Sequence, residues 1–130
     1  MPWEFDNNKP IYLQIMAILK NKIISGEIAP SEKLSSVRDL AQTAGVNPNT
    51  MQRALAELER ENLVCSNRTS GRYVTDDEEL IMNLKNEYAQ SYISELVNHL
   101  LQFGYTHEQL IHLIKLELEK GETDYVNKIS

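Results

Sequence analysis

Among its 130 residues the chain has one cysteine, one tryptophan, four prolines, five glycines and no long apolar stretch. A single thiol, Cys65, excludes an internal disulfide and fits a reducing compartment. The longest apolar run is five residues, 15–19, far short of the roughly 20 that a membrane-spanning helix needs. The start, MPWEFDNN, has neither a basic region nor an apolar stretch, so no secretory signal is expected and the cytoplasm is. No phosphate loop, nucleophile elbow or recognisable carboxylate pair is present, which argues against an enzyme. His99, His107 and His112 lack metal-site spacing, because positions five apart do not share a helical face; neither a metal nor a cofactor is expected. Cys65 has no basic neighbour and lies in a predicted strand, so a buried, inert thiol is expected.

What is present is 42% hydrophobic and 25% charged residues, the balance of a globular fold. The net charge of −6 is unevenly spread. Residues 1–75 hold 9 Lys+Arg and 8 Asp+Glu, net +1, and residues 76–130 hold 4 and 11, net −7. The first half can therefore present a local positive face, which is all that meeting phosphate requires. The asymmetry predicts two parts, 1–75 and 76–130, with different tasks.

Apolar residues at three- and four-residue steps (Tyr12, Ile15, Met16, Leu19, Ile23) predict a helix over 9–25, stopped at Gly26. Ser36 reads as an N-cap, with Asp39 as an imperfect capping-box partner, and VRDLAQTA gives a short helix ended by Gly45. Asn47 is a good N-cap and Pro48 suits the first helical position, so the next helix starts only two residues after that glycine. Two short helices around a Gly-containing turn are the sequence form of a helix-turn-helix. Met51, Ala54, Leu55 and Leu58 make the buried stripe of the second helix. Asn49, Gln52, Arg53 and Ala56 fall on its other side. The proline fixes which polar groups project from the helix start. Asn62 is a tolerable left-handed cap, and LVCSN and RYVT read as short strands around RTSG. Three helices and a hairpin make a winged helix-turn-helix.

Acidic residues 76–79 favour the start of a helix predicted over 78–103, with apolar positions at Leu80, Leu84, Tyr88, Tyr92, Leu96, Leu100 and Phe103. Gly104 stops it, and Thr106 with Gln109 forms a capping box for a last helix over about 107–120. The apolar arc of that last helix (Leu110, Ile111, Leu113, Ile114, Leu116, Leu118) is too wide for one partner surface. Two helices cannot cover it, so a subunit interface is expected at Leu84, Tyr88, Tyr92, Leu96, Leu110, Ile114 and Leu118. The architecture predicted is mainly α with a small β-hairpin: a winged domain, then a two-helix dimerisation domain.

Arg38 or Arg53 has the chemistry to pair with guanine, Asn49 or Gln52 with adenine, and the Thr50 hydroxyl and the helix-start amides with phosphate. An isolated Arg38 would more often pair with Asp39 or Glu57 on a solvated face; the helix-turn-helix setting favours DNA. Arg68 and Arg72 flank the hairpin turn and suit phosphate. The alternative class is a protein-interaction module on the same fold, which the acidic tail favours.

The run KLSSVRDLAQTAGVNPNTMQRALAELERENLV, followed by GRYV, resembles the N-terminal domain of GntR-family bacterial transcription regulators over roughly residues 9–75. The short two-helix tail is similar to that of the YtrA-type branch. The resemblance implies a homodimeric repressor on double-stranded operator DNA, an inverted repeat, controlling an operon such as a transporter operon; the effector is unknown. It implies a recognition helix in the major groove and a wing near the minor groove. The DNA-binding residues implied are Arg38, Asn47, Asn49, Thr50, Gln52, Arg53 and Gly71; Ser36, Arg68 and Arg72, read from the residues themselves, complete the expected DNA-binding set. Two places depart from the family pattern. Pro-Gly and Leu-Pro-Ser are common around the start of the second helix, and here they read Pro30-Ser31 and Leu34-Ser35-Ser36. Thr69 stands near a second wing glycine.

Overall fold

The computed structural model describes residues 2–67 and 69–129, with side chains to residue 121. The elements run α1 (Ile11–Ile24), α2 (Val37–Ala44), α3 (Pro48–Arg60), β1 (Val64–Asn67), β2 (Gly71–Val74), α4 (Glu78–Gln102) and α5 (His107–Ile129). The chain divides into two compact units between Asn86 and Glu87.

In the first unit, α1 begins two residues later than expected. Pro10 is extended (φ −56°, ψ 127°), and a residue before proline is pushed out of helical geometry. Its buried face of Ile15, Met16, Leu19 and Ile23 meets Ala41 and Ala44 of α2 and Met51, Ala54, Leu55 and Leu58 of α3 in one core. Gly45 at φ +76° ends α2 and turns the chain into α3. No side chain fits easily there, because an added Cβ would lie 2.9 Å from that of Pro2. Asn62 takes φ +66° after α3, as expected of a left-handed cap.

β1 and β2 pair antiparallel, Val64 with Val74, Cys65 with Tyr73, Ser66 with Arg72 and Asn67 with Gly71. Val64 and Val74 point into the core. Successive residues of a strand face opposite sides, so Cys65 points outward and is exposed. The expectation of a buried thiol is therefore corrected: a two-stranded hairpin has one covered face, and Cys65 is on the other. The segment 32–34 lies along β2, with Val74 N–H donating to Glu32 O (2.9 Å) and Leu34 N–H to Arg72 O (2.9 Å).

The first departure from the family pattern has a physical consequence. Ala29 to Glu32 form a turn closed by Glu32 N–H to Ala29 O (3.1 Å), with Pro30 leading and Ser31 at φ +68°. Glycine takes that conformation freely, whereas serine does so at a cost.

Asp77 caps α4, accepting from Leu80 N–H (3.1 Å). Leu80, Ile81 and Leu84 of its first turns pack against the winged core, so this stretch completes the first unit. Leu84, expected on the subunit seam, thus has a partner within its own chain. In the second unit Thr106 and Gln109 cap each other reciprocally (2.9 and 3.2 Å), as expected. Helix α5 continues to Ile129, beyond the expected end near 120. A single Gly121 costs only about 1 kcal/mol against alanine and, without a proline, does not stop the helix.

Candidate nucleic-acid interface

The start of α3 is built by three residues. Asn47 accepts from Asn49 N–H (2.8 Å), Pro48 occupies the first helical position, and Gly45 sets the approach. Asn47 O also accepts from Thr50 and Met51 N–H (3.0 and 3.1 Å). The amides at this helix start are thus satisfied internally, and side chains are left to meet a ligand. Asn49, Gln52 and Arg53 are exposed and Thr50 is half-buried, while Met51, Ala54, Leu55 and Leu58 are buried, as the sequence predicts.

Arg38, the second residue of α2, is exposed. Among the described residues it forms no ion pair: Asp39 is not its partner and Glu57 pairs with Arg60 (3.3 Å). Its guanidinium therefore remains available. Ser36 acts differently. Its hydroxyl accepts from Asp39 N–H (3.1 Å), so the side chain serves the helix start.

Arg53 lies over the Tyr12 ring, 3.7 Å from its centroid. Cation–π stacking in this range orients a guanidinium while leaving its edge free to donate. Pro10, Ile11, Tyr12, Asn49, Thr50 and Arg53 together line a cleft of about 550 Å³ between the starts of α1 and α3. Helix α1 has no side-chain cap and no acidic residue in its first turn. An uncapped helix start beside an arginine and a threonine hydroxyl suits an anionic group. Sequence reading placed Tyr12 on the core face and missed this role; 41 residues separate it from Arg53, and no local pattern links them.

A second cleft of about 550 Å³ lies between the start of α2 and the wing, lined by Lys33, Ser35, Ser36, Ser70, Gly71 and Arg72 among others. Gly71 is exposed at φ +107°. Lys33 is a cation the sequence reading did not select. Arg72 is half-buried and tied to α3. Its Nε donates to Glu59 Oε1 (2.6 Å), and the Ser66 hydroxyl donates to the same oxygen. The Ser66 and Arg72 hydrogen bonds hold the Glu59 carboxyl below its ordinary range, against the opposing effect of burial. Arg68 lies outside the described residues.

Of the expected subunit contacts in the second unit, Leu110 is buried and Tyr88 half-buried, while Tyr92 (63%), Leu96 (46%), Ile114 (38%) and Leu118 (59%) are exposed. His99 approaches Glu95 (3.9 Å), and no cluster of three metal-ligating side chains occurs among the described residues. None of the described helices is long and apolar enough to cross a membrane.

A capped, proline-started helix behind a glycine turn, with a hairpin against its far end, defines a winged helix-turn-helix protein. Residues 11–74 match the model of the bacterial regulatory proteins of the gntR family. The chain is 34% identical over 118 residues to YhcF of Bacillus subtilis, an uncharacterized HTH-type transcriptional regulator, covering 91% of this chain and 98% of that protein. A GntR family transcriptional regulator from Listeria monocytogenes superposes with a TM-score of 0.80 at 37% identity, over 85% of this chain and 97% of the other. The DNA-binding domain of AraR in complex with operator ORX1 superposes with a TM-score of 0.52 at 26% identity, over 58% of this chain and 99% of that domain. The chain belongs to the GntR family and is a DNA-binding transcriptional regulator, not an enzyme.

Proposed function

We propose that this protein is a homodimeric repressor that binds an inverted-repeat operator in the cytoplasm. Residues 1–75 read DNA and the helical tail pairs the subunits. The start of α3 enters the major groove, where Asn49 and Gln52 suit adenine edges and Arg38 suits guanine or phosphate. The Tyr12–Arg53 cleft and the Lys33 side of the wing cleft meet backbone phosphates. The observation that carries this reading is the exposed row of Asn49, Gln52 and Arg53 on a helix whose own amides are already satisfied. Supporting it, Arg38 is exposed with no ion pair among the described residues.

Pairing through the tail is supported by its large exposed apolar side chains, which one subunit leaves in water. Two recognition helices about 34–36 Å apart read half-sites one helical turn apart. A dimer seated on promoter DNA represses by occupying it.

The test is selection of binding duplexes from a randomised pool, followed by anisotropy titration against scrambled duplexes at several salt concentrations. Selected sites should be inverted repeats. Asn49→Ala should cost about 1–3 kcal/mol and relax one base position. Equal binding of selected and scrambled duplexes would favour a protein-interaction module and sink the operator reading.

A further inference from the structure

The end of α3 carries Glu57, Glu59 and Glu61, although a helix C-terminus favours cations. Each carboxylate has a cation. Glu57 has Arg60 of its own helix and Glu61 has Lys20 of α1 (2.9 Å). Glu59 alone reaches the wing. Its Oε1 accepts from Ser66 on β1 and from Arg72 on β2, and these two residues are cross-strand partners. One oxygen therefore ties both strands, at a single rung, to the recognition helix. That rung is the last but one before the turn, since Asn67 and Gly71 form the final pair.

We propose that Glu59 is a positioning residue for DNA reading, fixing the wing to the recognition helix and holding Arg72 in that seam, off the phosphates. This rests on the operator-binding reading above. The side chains of Glu59 and Arg72 are 30% and 21% exposed, so the pair is partly, not fully, open to the solvent that weakens surface ion pairs. The Arg72 Nε is engaged side-on, an orientation that a lysine ammonium would not reproduce. With the wing held at this rung, Ser70 and Gly71 stand at a fixed offset from Asn49 and Gln52. The phosphate-facing charge on this side then comes from Lys33 rather than Arg72.

The opposing view, that Arg72 leaves Glu59 to contact phosphate, predicts effects of opposite sign. The test uses the full chain, duplexes selected by the wild type from a randomised pool, and the variants Glu59→Ala, Arg72→Ala, their double, and the charge swap Glu59→Arg with Arg72→Glu. Amide hydrogen exchange of residues 64–74 is measured without DNA. Each single variant should lose about tenfold in affinity, with the double no weaker than either single. The salt slope should be unchanged, and the swap should recover most of the loss, because the Ser66 hydroxyl can donate or accept. Exchange in 64–74 should quicken in the singles and slow again in the swap. An Arg72→Ala salt slope reduced by about 0.9, with Glu59→Ala binding as tightly as wild type or tighter, would overturn the proposal in favour of a phosphate contact. Singles indistinguishable from wild type in affinity and exchange would overturn it outright. If Glu59→Ala does not fold, Glu59→Gln replaces it and the same criteria apply. If the wild type selects no sequence, the operator reading fails, while the exchange measurements still decide whether Glu59 holds the wing.

Discussion

The two units close their apolar surface to very different degrees. Among the described residues, every buried hydrophobic side chain except Leu110 lies in the winged unit, where three helices and a hairpin share one core. The helical unit leaves Tyr92, Ile93, Leu96, Phe103, Ile111 and Leu118 exposed, each by more than two-fifths. Both units have helices that carry rows of apolar side chains. A three-helix arrangement presents enough surface to cover such faces, and two helices do not. The winged unit is therefore expected to fold on its own packing, and the other to depend on a second copy.

The sharpest way to break this contrast is to charge the helical unit. Leu96→Glu with Ile114→Glu should weaken subunit association by on the order of 100-fold or more, since a carboxylate cannot be desolvated without a partner. Sedimentation measures it. A variant that remains as tightly dimeric as wild type would show that these faces are covered by something other than the partner's tail. Far-UV circular dichroism should show the winged helices intact.

The matching change in the winged unit is Leu58→Ala. Leu58 is fully buried at the foot of α3. Its truncation should cost about 2–5 kcal/mol in denaturant unfolding, because a packed core relaxes only partly around a lost side chain. A cost below about 1 kcal/mol would mean that this core is looser than its burial implies.

Backbone conformation sharpens the comparison further. Gly45 and Ser31 both hold positive φ in the winged unit, +76° and +68°, yet only one is glycine. Gly45→Ala should destabilise by about 1–2 kcal/mol through the left-handed backbone, with more from the clash against Pro2. Ser31→Gly should have the opposite sign and a smaller size, a gain of up to about 1 kcal/mol, since glycine relieves the strain but enlarges the unfolded ensemble. Thermal unfolding of the two variants reads both signs. A destabilised Ser31→Gly would show that the serine side chain contributes more than its backbone costs.

These positions also mark what the sequence makes legible. Asn47, Pro48, Gly45 and the Met51–Leu58 stripe are local signals, and the helix-turn-helix follows from them within a residue or two. Thr106 and Gln109 are equally local. The sequence does not reveal pairings between distant segments. Arg53 over Tyr12 and Arg72 on Glu59 join elements with no sequence pattern between them, and each gives an arginine assigned from position alone a partner within the chain. Cys65 was misjudged because strand membership does not tell which face of a hairpin is covered. Leu84 belongs to the winged core because α4 continues through the boundary that the charge change marks.

The smallest effect expected is the acid limb of stability in the winged unit. The bonds from Ser66 and Arg72 lower the folded-state pKa of Glu59 below its ordinary 4.5. A depressed carboxyl contributes stability that is fully present above the unfolded-state value and is lost as pH falls through the folded-state value. The contribution should thus be intact at neutral pH and disappear below about pH 4.5. Glu59→Gln removes the titrating group while retaining its shape. Its stability deficit against wild type should be constant from pH 7 to 5 and shrink as the pH falls further. A partly exposed pair makes this deficit small, so the measurement is a difference between two denaturation series, not a single midpoint. Should the deficit stay constant down to pH 3, the wing would be held to α3 by packing alone. The two units would then differ only in the amount of apolar surface they cover.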